Sequence, residues 1–229
     1  MKEVITKKLL FWMVLIVGIV ALIGSCAKKD EESAATAAAT AADNTTTSTT
    51  SSITTTTPSG SITMGYDTLS GVYASECLTS AATIAFFKAT GFWASEVNAY
   101  GQVFVVTGSD NISIELYAFT DTSCSNLSVS QKTVSDNVTF GSASGSNYPV
   151  TYNNQTQALT VHTTAAEAAL ETLYSNALDF IVGTPIELPV SGSGLRYGLW
   201  TLSGTTWYEA SDSSSATPTS AGTVPHVKQ

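Results

Sequence analysis

The stretch Ile112-Ser-Ile-Glu-Leu-Tyr117 decides the fold. Ile112, Ile114 and Leu116 alternate with Ser113, Glu115 and Tyr117, the period-two pattern of a strand with one face on a core and the other toward water. Working outward, similar short runs bounded by Gly, Asn, Asp and Ser occur at 71–76, 83–88, 102–107, 128–134, 137–141, 149–152, 158–162, 195–202 and 206–209. Ser203-Gly204 is a turn between the last two. About ten strands at this spacing predict an antiparallel sandwich or an up-and-down barrel.

One segment breaks the pattern. Thr164-Ala-Ala-Glu167 is a capping box, in which the threonine oxygen takes an orphan N–H and the glutamate reaches back. Ala166, Leu170, Leu173, Ala177 and Ile181 then recur at helical spacing until Gly183 and Pro185 end the run. The prediction is one amphipathic helix, inserted before the last strands, with its apolar stripe packed over the sheet. No repeat of about 20–50 residues is visible, which argues against a solenoid.

The N-terminus carries an address. Lys2, Lys7 and Lys8 precede an apolar run from 9 to 23. That run is short against the roughly 20 residues of a membrane span and fits the apolar core of an export signal. Ile23-Gly-Ser-Cys26 resembles the lipobox of bacterial lipoproteins. The resemblance implies cleavage before Cys26 and acylation of both its thiol and its new amino group. One acyl chain holds a protein marginally and two or more hold it stably. An uncleaved signal anchor is the alternative. In that family an Asp after the cysteine retains the protein on the inner membrane; Ala27 stands there, so the resemblance favours the outer membrane of the cell envelope.

The expected organisation is therefore a signal peptide at 1–25, a lipidated linker at 26–61 and one domain at 62–229. The linker is almost wholly Ala, Thr and Ser, with Asp30-Glu-Glu32 at its head and no aromatic residue. Such a segment buries too little to offset the entropy of ordering it. Loss of residues 1–25 removes three of nine basic and one of eighteen acidic residues, leaving six against seventeen and a net charge of −11. With its basic residues scattered, the mature chain lacks the positive face that displaces counterions from phosphate, which excludes nucleic acid as a partner.

With Cys26 acylated, Cys77 and Cys124 remain. In an oxidising compartment a disulfide between them is expected, two buried free thiols being the alternative.

Three further stretches carry a family resemblance. Gly71-Val-Tyr-Ala-Ser-Glu-Cys77 resembles the opening "G-x-W-x-S-x-C" strand of small lipocalin-like barrel domains in bacterial envelope lipoproteins, with Tyr73 in the aromatic position. Tyr117-Ala-Phe-Thr-Asp-Thr-Ser-Cys124 is similar to their "Y-x-D-x-x-C" strand end. Thr217-Pro-Thr-Ser220 followed by Pro225-His-Val-Lys228 is similar to their closing "R-P-T-S…Y-x-K", without the arginine and the tyrosine. The resemblance implies an all-β, antiparallel lipocalin-like barrel of about eight to ten strands, filled by side chains or holding one small ligand. It also implies the Cys77–Cys124 pairing.

Catalytic groups are sparse. The chain has two histidines: His162 lies opposite Leu159 and Val161 in its strand and is expected to face solvent, and His226 sits near the C-terminus. There is no G-x-S-x-G, since Gly141-Ser-Ala-Ser-Gly145 puts alanine at the centre. No zinc or calcium ligand spacing occurs. The expectation is a non-catalytic protein with no cofactor and no metal.

Aromatic residues are the remaining signal. Phe86, Phe87, Phe92 and Trp93 cluster early and Tyr197, Trp200, Trp207 and Tyr208 late. First and last strands of a barrel can be neighbours, which makes Phe87, Trp93, Trp200 and Trp207 candidate ligand-binding residues; the alternative is that they fill the interior. The leading functional expectation is a lipid-anchored envelope protein whose barrel binds a small hydrophobic ligand. A structural or adhesive lipoprotein acting through protein contacts comes second, and an envelope hydrolase third.

Overall fold

The computed structural model describes residues 53–190, 194–210 and 215–229. The expected signal peptide and Cys26 lie outside the described residues. Within them are strands β1 (Ile62–Met64), β2 (Asp67–Leu69), β3 (Val72–Ser75), β4 (Ala99–Val106), β5 (Ile112–Phe119), β6 (Leu127–Phe140), β7 (Asn147–Val161), β8 (Pro185–Leu188), β9 (Leu195–Ser203), β10 (Thr206–Glu209) and β11 (Pro225–Lys228). Helix α1 (Ala81–Ala89) follows β3 and α2 (Thr164–Leu173) follows β7.

The sheet runs β6-β5-β4-β3-β11-β10-β9-β7, and β7 pairs back on β6. This is a closed, antiparallel, eight-stranded barrel, in which the late strand β11 lies beside the early strand β3. Closure gives each of the eight barrel strands a neighbour on both sides, which removes most of the edge that could recruit another chain. β8 extends the β9 edge: β7 pairs with β9 from Asn147↔Thr201 to Asn153↔Leu195 and with β8 from Gln157↔Leu188 to Thr160↔Pro185. The two strands act as one interrupted stave.

Several elements depart from the sequence reading. The run 83–88 is helical, not a strand: Ser80 caps α1 by accepting from Thr83 N–H at 3.4 Å, and alanines at 81, 82, 85 and 89 favour helix. The runs 128–134 and 137–141 merge into β6, bent at Asn137 (φ 54°), and 149–152 and 158–162 merge into β7. α2 is capped one residue earlier than expected, by Thr163, whose hydroxyl accepts from Ala166 N–H at 3.1 Å. It stops at Leu173 because Ser175 and Asn176 turn left-handed (φ 56° and 53°), so Ile181 leaves the helical stripe and is exposed.

Residues paired directly across antiparallel strands share a face of the sheet, so the register separates inside from outside. Phe104, Ile114, Thr133 and Gln157 form one inward row; Gln102, Leu116, Gln131 and Leu159 form the next. At one end of the barrel the β1–β2 hairpin is a stopper. Ile62, Met64 and Leu69 are buried among Tyr73, Phe104, Ile112, Val150, Trp200 and Trp207. Gly65 makes the turn (φ 63°), where a β-carbon would lie 2.6 Å from the Tyr148 ring. At the opposite end α1 and α2 cover the barrel, packing Ile84, Ala166 and Leu170 with Trp93, Val129, Leu159, Val161 and Phe180.

The outer face of β4 and β5 is not wet. Ser113, Glu115 and Tyr117 are only 1%, 2% and 7% exposed. Residues 53–60 lie over them as a strap. Ile53 packs with Phe119 and Cys124 near the helix end, and Ser59 N–H donates to Val106 O at 2.9 Å near the hairpin end. The Glu115 carboxylate accepts from Ser113 Oγ at 3.1 Å and from the hydroxyls of Tyr117 and Thr56. Hydrogen bonds to a charged acceptor are the strong kind, and three of them make this burial tolerable. Burial, and then the Glu115 carboxylate, push the Tyr117 hydroxyl well above its ordinary pKa. The Cys77–Cys124 disulfide ties the end of β3 to the loop after β5. A sequence separation of 47 corresponds to about 4 kcal/mol in the chain-entropy account.

Candidate functional site

The four candidate aromatics do not come together. Trp200 and Trp207 belong to the hairpin-end core, ring centroids 4.6 Å apart and both fully buried. Phe87 and Trp93 stack at 4.4 Å in the helix-end core, where Trp93 also meets Tyr100 at 5.5 Å. Each pair packs into its own end of the barrel.

Between the two cores the lining changes. Ile114 and Leu116 point inward by register yet are only partly buried, more exposed than the outward Ser113, Glu115 and Tyr117 on the same strand. Gln102, Gln131, Gln157, Arg196 and Glu209 also occupy inward positions and are only partly buried. Side chains that face into a closed barrel and still reach solvent line an open interior, so the middle of this barrel is a polar-lined space. Sequence reading missed it because glutamines within alternating strands look like wet-face residues, and a two-residue period does not say which face is inside.

His226 stands at the border between this space and the hairpin-end core. It is 1% exposed, with Nδ1 3.3 Å from Trp207 O and Nε2 3.2 Å from the Gln102 side-chain amide. Its ring meets Phe104 edge-on at 4.7 Å. Burial drives its pKa down to about 4, against a smaller upward pull from the Trp207 carbonyl. It is therefore a neutral part of the wall at neutral pH. Beside it, Ser75 Oγ accepts from Gln102 N–H at 2.9 Å. The indole N–H groups of Trp200 and Trp207 are buried and have no partner. Inward-facing Gly198 leaves room for one of them, since a β-carbon there would sit 3.3 Å from Trp200 Nε1.

His162 lies on the outer face, as its strand alternation predicts, but it is half-buried rather than free in solvent. Its Nε2 is 2.9 Å from Ser130 Oγ, and burial lowers its pKa. Among the described residues no carboxylate is hydrogen-bonded to this ring. Glu96, which reaches the residue following His162, accepts instead from Ser128 at 2.8 Å and from Thr163. A serine-histidine pair without an orienting third group falls short of the triad arrangement. Among the described residues no group of three or more His, Cys, Asp and Glu is placed to hold a metal. A shallow surface groove of about 390 Å³ beside α1, lined by Thr79, Ala81, Ile84, Ala85, Lys88, Asn98 and Thr122, lies outside the barrel.

No protein-family model matches the chain, and no curated protein matches it significantly.

Proposed function

We propose that this chain is an exported, lipid-anchored envelope protein whose barrel carries a small ligand in its middle and performs no chemistry on it. The lipobox-like Ile23-Gly-Ser-Cys26 supports the anchor. The observation that carries the binding reading is the inversion on β5, where inward Ile114 and Leu116 reach solvent while outward Glu115 does not. Gln102 is tied to His226, but Gln131 and Gln157 turn partly accessible amides inward, and a ligand site needs a few placed polar groups in a largely apolar enclosure.

Two measurements test the proposal. Native mass spectra of the full chain, extracted from the membranes of an exporting host, are expected to show a discrete adduct that is lost on denaturation. A clean apo mass with no uptake of added ligand would turn the reading toward a display module acting through its outer surface. The intact mass should lack residues 1–25 and carry acyl chains on Cys26; an unmodified Cys26 with the signal still attached would refute the anchor.

A further inference from the structure

We infer that the ligand of the barrel is a neutral, polyhydroxylated ring compound, a saccharide, and not the apolar molecule that a barrel full of aromatic residues first brings to mind. The inference rests on the open-barrel reading above and concerns what fills that space. Leu116 lies between Gln102 and Gln131 across three adjacent strands, so two side-chain amides flank one apolar patch at roughly 5 Å on either side. In the next row Ile114 is followed by Thr133 and Gln157. A primary amide offers donors and an acceptor together, as a sugar hydroxyl does. A sugar ring has an apolar C–H face for Leu116 and Ile114, and a rim of hydroxyls for Gln131 and Gln157.

Arg196 and Glu209 contribute one charge of each sign at inward positions, which matches a neutral ligand better than an anion or a cation. An apolar guest would cover Gln131, whose Nε2 donates to Thr133 Oγ1 at a long 3.5 Å, and Gln157 without giving the remaining donors and acceptors of these amides anything to bond.

The test uses the full chain in lipid nanodiscs, titrated with glucose-, galactose- and N-acetylglucosamine-based di- and trisaccharides and separately with laurate, and followed by tryptophan emission and calorimetry. At least one saccharide is expected to bind and shift the emission, and Gln131→Leu and Gln157→Leu should each weaken it about tenfold or more while keeping the wild-type melting temperature within a few degrees. Laurate binding that tightens in the two leucine variants, with no saccharide binding, would overturn the saccharide inference and leave the open barrel standing. Binding of neither class would overturn both. Saccharide binding unchanged in both variants would place the sugar outside the barrel and also refute the inference.

Discussion

The hairpin end and the middle of the barrel are built from the same strands, yet one is packed and the other is open. At the hairpin end the inward positions are filled mainly by large rings and aliphatic chains, with small residues such as Ser135 and Gly198 among them, and β1–β2 is pushed in on top. A few residues along the same strands the inward positions hold Gln131, Gln157 and Arg196, which are only partly buried. Tight apolar packing and accessible polar lining are thus segregated along the barrel axis. The packed end can hold the fold while the middle carries long polar side chains that stay partly accessible.

The largest expected effect lies at the packed end. Trp207→Ala removes a fully buried ring that touches Tyr73, Phe104 and Trp200, and should cost about 3–5 kcal/mol in denaturant unfolding. If the loss were under about 1 kcal/mol, the hairpin end would not be the stabilising core. The next effect belongs to the border. Between its ordinary 6.5 and its folded value of about 4, His226 takes up a proton in the unfolded chain that the folded barrel refuses. Stability from this residue is complete above pH 6.5 and falls by about 3 kcal/mol as pH drops toward 4. His226→Gln should flatten that part of the pH–stability curve, and an unchanged slope would show that the ring titrates normally.

A smaller effect is expected outside the barrel. Thr56→Ala removes one of three hydroxyls from the Glu115 carboxylate and should cost about 1–2 kcal/mol, with faster amide exchange at Ser59 as the local sign. The smallest effect sharpens the contrast itself. Gln131→Leu in the open middle should change unfolding stability by less than about 0.5 kcal/mol. A loss of several kcal/mol there would mean that the middle is packed after all.

Much of the architecture is legible in local pattern. The alternation of 112–117, the turn between β9 and β10 and the apolar stripe of α2 each report a near-neighbour constraint, and each reappears, the turn one residue later at 204–205 and the stripe only as far as Leu173. The two cysteines join as expected. Long-range facts are less visible. Nothing within β5 says that Glu115 will be covered by residues about sixty positions earlier. The one hint lies in the strap itself, where Ile53 followed by four β-branched threonines at 54–57 stands out in a stretch otherwise made of small and polar residues. The polar interior was hidden for a different reason. Gln102, Gln131 and Gln157 come from three separate strands, and only barrel closure turns their faces toward one another. The candidate aromatics were recognised as buried groups, but ring content alone does not say which end of a barrel each ring fills.

The strap also sets how the domain bears mechanical load. It enters beside Ile53 at the helix end, runs alongside β4 and β5, and continues into the hairpin stopper at the far end. A pull on Ile53 directed away from the hairpin end would act along the strand direction and strain the bonds of Thr56 and Ser59 in shear together instead of unzipping them singly. Beyond them the force reaches Ile62, Met64 and Leu69, the side chains seated in the hairpin-end core. Withdrawing them would uncork the barrel, so traction on the N-terminal side and opening of the packed end are one mechanical event. Force spectroscopy on the full chain should record a single rupture for both, and two well-separated ruptures would show that strap and stopper yield independently.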